Sequence, residues 1–369
     1  MKTKRTDLFS PIAIANLELK NRLVRSATAE RLAEEPVGRA TPALAALYRT
    51  LAQGGVGLIV TGHAYVAPEG KAHPEMLSAH SDEMIPGLRT LAEAVHAEGG
   101  RIALQINHGG GQCAAESAPQ MVAPSAMPEP TGHAPREMTA AEIVATADAF
   151  GQAARRAQLA GMDAVQLHGA HGYLIGQFLS LHTNRRSDGW GGDFERRLRF
   201  LAAVCEAVRG QVGRDYAVFI KLGMADNLDR VPGGLTPEDG ARIAGRLAGL
   251  GLDAIEVSGG LGGGQGDFNG RLGVGTKVPE AYFRPLARLA KAATTLPVIL
   301  VGGLRSRSVM DDVLASGDAD LISLCRPLIR EPDLPNRLQN GQATVAACIS
   351  GGRCWADGPG QGIGCKCKA

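Results

Sequence analysis

The sequence predicts a single (β/α)8 barrel, on three observations. One strand-bearing unit recurs along its 369 residues, the strands within it are short and apolar throughout, and helical patterns fill the intervals. The unit is plainest in AGMDAVQLHG (160–169) and LGLDAIEVSG (250–259). SGDADLISLC (316–325) is a weaker copy, and QGGVGLIVTG (53–62) has the same shape. Each begins with glycine at a helix C-terminus, where the left-handed conformation carries no Cβ penalty. Each then runs into four or five apolar residues, as in a parallel strand covered on both faces. Recurrence of one such unit is the mark of a repeat architecture.

The remaining strands fall between these echoes. Strand one is RLVRS (22–26) and strand two lies in 53–62; strand three is RIALQI (101–106) and strand four lies in 160–169. Strand five is AVFIKL (217–222), strand six lies in 250–259, strand seven is PVILVGG (297–303), and strand eight lies in 316–325. GLRTLAEAVHAEGG and GARIAGRLAGLG carry apolar residues at three- and four-residue spacing and finish on glycine, as helices do. Thr236 followed by Pro237 starts one helix, and Thr139 with Glu142 forms a capping box at another. Eight such βα units around one core make a barrel, with an open doubly wound sheet as the alternative. Two segments break the rhythm. Residues 107–138 are too Pro-rich for a helix and long enough for a lid. The Gly-rich stretch 258–276 lacks the Gly-Lys-Ser/Thr of a phosphate loop and reads as a mobile loop at the barrel mouth.

Composition narrows the function. With 44% hydrophobic and 21% charged residues, the chain reads as a globular protein. A formal charge of +2 with no basic stripe argues against nucleic acid. No window approaches the ~18–20 apolar residues of a membrane helix, and the opening lacks the apolar run of a signal peptide. Seven cysteines, four of them crowded at 348, 354, 365 and 367, do not form a secreted disulfide framework. The expectation is a cytoplasmic enzyme.

Barrels build their active sites at the C-terminal strand ends. The polar and small residues there are Ser26, Ala27, Thr28 and Ala29 after strand one, then Thr61 and Gly62 after strand two. Gln105, Asn107 and His108 follow at strand three, and His168, His171 and Tyr173 at strand four. Lys221 stands at strand five, Ser258 at strand six, Gly302 and Gly303 after strand seven, and Cys325 with Arg326 after strand eight. Glycines after strand seven and an arginine after strand eight suit a phosphate, because backbone N–H groups approach closely and a guanidinium binds two oxygens at once. A phosphate-bearing cofactor with a flat polar ring would use the amide, lysine and imidazoles as well.

The stretches LFSPIAIANLELKNRLVRSA, LQINHGG, HGAHGYLIGQFLS, HTNRRSDGWGGDFERRLRFL and ISLCRPLIREPDLPNR resemble the Old Yellow Enzyme family of FMN-dependent oxidoreductases along almost the whole chain. The resemblance implies FMN as cofactor, NADH or NADPH as electron donor, and reduction of the C=C bond of α,β-unsaturated carbonyl compounds. It implies that His168 and His171 hydrogen-bond the substrate carbonyl, that a hydride passes from flavin N5, and that Tyr173 gives the proton. It further implies that Gln105 and Lys221 bind the flavin ring, with Gly62 letting the ring approach. Cys325, Arg326, Gly302 and Gly303 would hold its phosphate, and Ser26–Ala29 would line its edge. Ala29 stands where the family often has a side chain that tunes the flavin, with Thr28 beside it. Arg31 falls near a substrate-contacting position. The family's habits imply a homo-oligomer.

The barrel is expected to end near residue 347, leaving 348–369 as a Cys-containing tail. That tail is similar to the subgroup of trimethylamine dehydrogenase and bacterial dienoyl-CoA reductase, whose members carry an iron–sulfur cluster. A [4Fe–4S] cluster wants four thiolates, and CISGGRC keeps Cys348 and Cys354 but places Gly351 at the second ligand position. Cys365 matches the distant ligand, and Cys367 is a substitute for the missing one. The expectation is a metal-free tail, with zinc or a degenerate cluster as alternatives. Alternative functions are an amine dehydrogenase or demethylase like trimethylamine dehydrogenase, disfavoured by few aromatic residues, and a non-catalytic flavin-binding barrel.

Overall fold

A computed structural model describes residues 7–126, 134–226, 233–261, 279–354 and 360–367. Eight parallel strands close into a barrel in sequence order: Leu23–Arg25, Leu58–Val60, Ile102–Asn107, Ala164–Gly169, Ala217–Gly223, Ala254–Ser258, Val298–Leu300 and Leu321–Leu324. Closure comes from strand eight pairing with strand one, Ile322 opposite Leu23. All eight predicted strands are present, and the doubly wound alternative is excluded by that last pairing.

The glycines that open the echoes do what the pattern requires. Gly55, Gly161, Gly251 and Gly317 all have positive φ between a helix and the next strand. The helix signals hold as well. Thr139 and Glu142 form the reciprocal capping box at the start of Ala140–Leu159, and Thr236 accepts from Asp239 N–H at the start of Pro237–Leu247.

Side chains of a strand alternate between its two faces, so the barrel interior is built in layers. The lower layers are apolar: Val24, Leu58, Val60, Ala103, Ala164, Ala217, Phe219, Ala254, Ile299 and Leu321 form one buried cluster. A short antiparallel hairpin, Ile12–Ile14 with Leu17–Leu19, adds Ile14, Leu17 and Leu19 to this cluster and seals the barrel's N-terminal end. The sequence reading did not include that hairpin. Two residues further along the strands the interior turns polar. Gln105 follows Ala103, Gln166 follows Ala164, Lys221 follows Phe219, Glu256 follows Ala254, and Ser323 follows Leu321. All five are buried, with Ser26 among them at the end of strand one. The outward faces pack under the helices in a second, larger apolar shell.

The long segment after strand three contains a short 3-10 turn (Gly110–Gln112) and two paired two-residue strands, Val122–Ala123 and Arg136–Glu137. Residues 127–133 of that expected lid, and 262–276 of the expected mobile loop, lie outside the described residues. No helix of the described residues is long and apolar enough to cross a membrane.

Gly161 has φ +83 and no heavy atom within 4 Å of where a Cβ would stand. Gly161→Ala therefore isolates backbone strain from packing. It should lower unfolding free energy by about 1–2 kcal/mol, read from urea denaturation, with no change in ligand binding.

Candidate active site

The segment after strand four makes a tight reversal that gathers the ring side chains of the site. His171 has φ +60 and Gly172 φ +71. His171 is fixed in that conformation by a backbone bridge to Leu261 and by its Nε2 lying 2.7 Å from Ser258 Oγ, at the end of strand six. The His168 ring packs edge-on against His171 at 5.0 Å and against Tyr173 at 4.8 Å between centroids. His168 Nδ1 accepts from Ala170 N–H at 3.4 Å, which leaves Nε2 as the protonated nitrogen. The three residues singled out by the sequence thus form one cluster.

Burial governs their ionisation. It pushes the His168 imidazole well below its ordinary pKa, with His171, His63 and Lys221 adding to the effect. His171 falls to about 3, from burial first and then from Lys221. Tyr173 is pushed up to about 12, by burial first and then by Cys113. At neutral pH the cluster therefore offers neutral imidazole N–H groups and a phenolic O–H.

A fourth ring belongs with these three. His63, after strand two, lies 5.2 Å from Tyr173 and 6.0 Å from His168 between centroids. Its Nδ1 meets Asn107 Nδ2 at 2.9 Å, and its Nε2 lies 3.3 Å from His73 Nε2. The sequence reading passed over His63 because it stands alone in VTGHAYV, with no neighbour to mark it.

Below the rings lies the polar layer. Lys221 Nζ donates to Ser26 Oγ at 2.7 Å and to Glu256 Oε1 at 2.9 Å. Ser26 and Ser323 also donate to Oε1, at 2.7 and 2.8 Å, and Gln166 Nε2 donates to Oε2 at 2.9 Å. Gln105 Nε2 in turn donates to Gln166 Oε1 at 2.7 Å. Burial works against a charged Glu256, yet Lys221 and the hydrogen bonds outweigh it and hold the carboxyl below its usual range. Glu256, Gln166 and Ser323 were not singled out from the sequence. The signal was present: Gln166 and Glu256 occupy the same place in the two clearest echoes, each two residues beyond an interior alanine.

The other nominated residues take these positions. Thr28 Oγ1 donates to Ser26 O and lies 3.1 Å from Cys325 Sγ, and Ala27 packs on the inner apolar layer. Ala29 and Arg31 line a small cavity with Gly62, His63, His73 and Glu75. Arg31 is exposed with φ +54. Gly62 is small for a reason internal to the chain. A Cβ there would run into the Glu30 carboxylate and stand 2.7 Å from Thr28 O. Glu30 is itself held by Arg25 at 2.7 Å. Gly302 (φ +131) and Gly303 (φ +69) adopt conformations that favour glycine after strand seven. At the start of the short helix Arg326–Arg330 that follows strand eight, Arg326 donates through one nitrogen to Ser350 O of the tail.

In the tail, Cys348 and Cys354 are buried and Cys365 and Cys367 half-buried, all as free thiols. Burial pushes Cys354 up to about 11, with Cys325, Cys348 and Cys365 adding to it. A Cβ placed on Gly351 would stand 2.5 Å from Cys367 Sγ, so that sulfur fills the space a side chain at 351 would take. Among the described residues, no group of three or more His, Cys, Asp or Glu side chains is arranged to hold a metal ion.

The model of the NADH:flavin oxidoreductase / NADH oxidase family matches residues 7–344. An NADH oxidase from Thermoanaerobacter brockii is 38% identical over 93% of this chain and 52% of its own length. The chain therefore spans about half of that relative. An NADPH dehydrogenase from Geobacillus sp. strain WCH70 is 36% identical over 95% of this chain and 99% of its own length. Among solved structures, the old yellow enzyme homologue from Zymomonas mobilis superposes with a TM-score of 0.77 at 28% identity, covering 92% of this chain and 94% of that one.

The buried imidazoles give a stability prediction. His108 and His171 are held to about 3 and His73 to about 4, each chiefly by burial. The unfolded chain, with imidazoles near ~6.5, binds these protons first. Stability is complete above that value and falls as pH drops below it, each group costing about 1.4 kcal/mol per pH unit. Urea midpoints at pH 7.5, 6 and 5 should decline in that order; a flat series would show that the imidazoles are not held neutral.

Proposed function

The chain belongs to the NADH:flavin oxidoreductase / NADH oxidase family, and from that premise we propose that it is an FMN-dependent NAD(P)H oxidoreductase reducing the C=C bond of α,β-unsaturated carbonyl compounds. The observation that carries this reading is the packing of the His168, His171 and Tyr173 rings into one cluster after strand four.

The residues present fit FMN. Gly302 and Gly303, in left-handed conformations beside Arg326, supply backbone N–H groups and a guanidinium for a phosphate. Gln105 and Lys221 supply an amide and a cation for a polar ring, with Ser26, Ala27, Thr28, Ala29, Gly62 and Cys325 around it. Bound there, FMN supplies the two-electron chemistry, taking reducing equivalents from NADH or NADPH and delivering a hydride to an acceptor.

The chain's own residues do the rest. Reduction of an enone places negative charge on the carbonyl oxygen, and fixed N–H donors stabilise it. His168 presents Nε2–H because its Nδ1 is occupied by Ala170 N–H. His171 is oriented for the same task by Ser258. Both imidazoles are neutral, so they donate hydrogen bonds without bringing a charge that the ligand must match. Tyr173 holds its proton on Oη across the neutral range and gives it to the α-carbon of the substrate. Arg31, exposed at the rim of the small cavity, meets the outer part of the substrate.

Purified protein should be yellow and release FMN on acid treatment. NADH or NADPH should bleach it anaerobically, and 2-cyclohexenone should restore the colour. Recovery of FAD, or no flavin after reconstitution, would sink the cofactor assignment. Tyr173→Phe should slow reoxidation by the enone ~10²-fold or more while leaving bleaching by NAD(P)H near the wild-type rate. His168→Ala should slow the same half-reaction ~10²–10³-fold and weaken binding of phenols. Unchanged reoxidation in both variants would remove these residues from the chemistry.

A further inference from the structure

We infer that Glu256 is a positioning residue for the flavin: its carboxylate cancels the Lys221 charge and sets the direction of the Gln166–Gln105 amide pair that would meet the ring. The inference rests on the reading above, in which Gln105 and Lys221 face FMN.

Glu256 has no solvent exposure, and its carboxylate accepts from Ser26, Lys221, Ser323 and Gln166, which come from strands one, five, eight and four. These partners fix its state. The Lys221 ammonium can only donate and two serine hydroxyls donate beside it, so the oxygen that faces them accepts, as that of an ionised carboxylate does. A buried ion pair is not explained by stability, since desolvation offsets much of its attraction. Its position in the barrel's polar layer, beside the residues that would meet the cofactor, points to a functional use.

The direction of the amides follows. Gln166 must turn its NH2 toward Glu256, because its carbonyl would otherwise face a negative charge. Its Oε1 is thereby left to accept from Gln105 Nε2. Gln105 is in turn held with its NH2 toward Gln166 and its carbonyl directed elsewhere. One buried charge on strand six thus orders two amides on strands four and three. The same charge has an electrostatic consequence. Lys221 alone would favour the electron-rich, reduced ring; paired with Glu256 it forms a layer of zero net charge, which moderates that preference.

The test compares wild type, Glu256→Gln, Lys221→Met and the double variant, each reconstituted with FMN. The readouts are the FMN dissociation constant and the two-electron midpoint potential, all four proteins being measured at one pH. Glu256→Gln removes the negative charge at nearly constant shape. It should raise the ratio of affinities for reduced over oxidised FMN at least tenfold, a positive shift of about 30 mV or more for a two-electron couple. Lys221→Met should shift the potential the other way, and the double variant, uncharged like the wild-type layer, should return close to wild type. If Glu256→Gln does not accumulate folded, the contrast between Lys221→Met and the double variant carries the same comparison. A Glu256→Gln protein that binds FMN at an unchanged or lower potential would overturn the inference, as would a double variant displaced as far as the single one. Wild-type protein that binds no FMN would instead overturn the flavin reading on which the inference stands.

Discussion

Closing eight parallel strands into a barrel leaves every second side chain pointing inward, and the rest of this structure follows from that constraint. An enclosed volume must be filled, and it is filled by apolar side chains below and by hydrogen-bonded polar ones above. The change comes at one level on strands three, four, five, six and eight. A polar group inside a barrel is tolerable only when it is paired. The upper layer meets that requirement with a single carboxylate that receives four donors. The ring cluster above stands on this satisfied layer, through His168 on strand four beside Lys221 on strand five.

Much of this was legible in the sequence. The repeated Gly–apolar–polar unit gave four of the eight strands and the apolar runs between its copies gave the other four, because left-handed glycines and two-sided burial both leave local marks. His168, His171 and Tyr173 could be read as a group because they lie within six residues of chain. What escaped the reading was not local. The hairpin Ile12–Ile14 and Leu17–Leu19 is recognisable only once there is an open barrel end for it to seal. His63 matters through rings that are far from it in sequence.

Glu256 is the instructive omission. Attention to strand ends selects the last residue of each strand, here Ser258, and passes over the one two positions earlier. Yet period-two alternation makes the earlier position equally inward. An acidic residue among Ala254, Ile255 and Val257 has no water to face, so it signals a partner from elsewhere in the barrel. Lys221 carried the reciprocal signal from strand five. Read as a pair, two opposite charges inside two apolar strands are more informative than either one alone.

The tail shows how a missing side chain can be replaced in space without being replaced in sequence. Cys367 Sγ lies where a side chain on Gly351 would begin. The two positions therefore share one volume, and their identities are not independent choices. Writing a cysteine into position 351 would not restore a fourth thiol to an otherwise complete set; it would set two sulfurs competing for one place. An engineer wishing to refashion this end of the molecule must treat the glycine and the distant cysteine as a single exchange, made in both places or in neither.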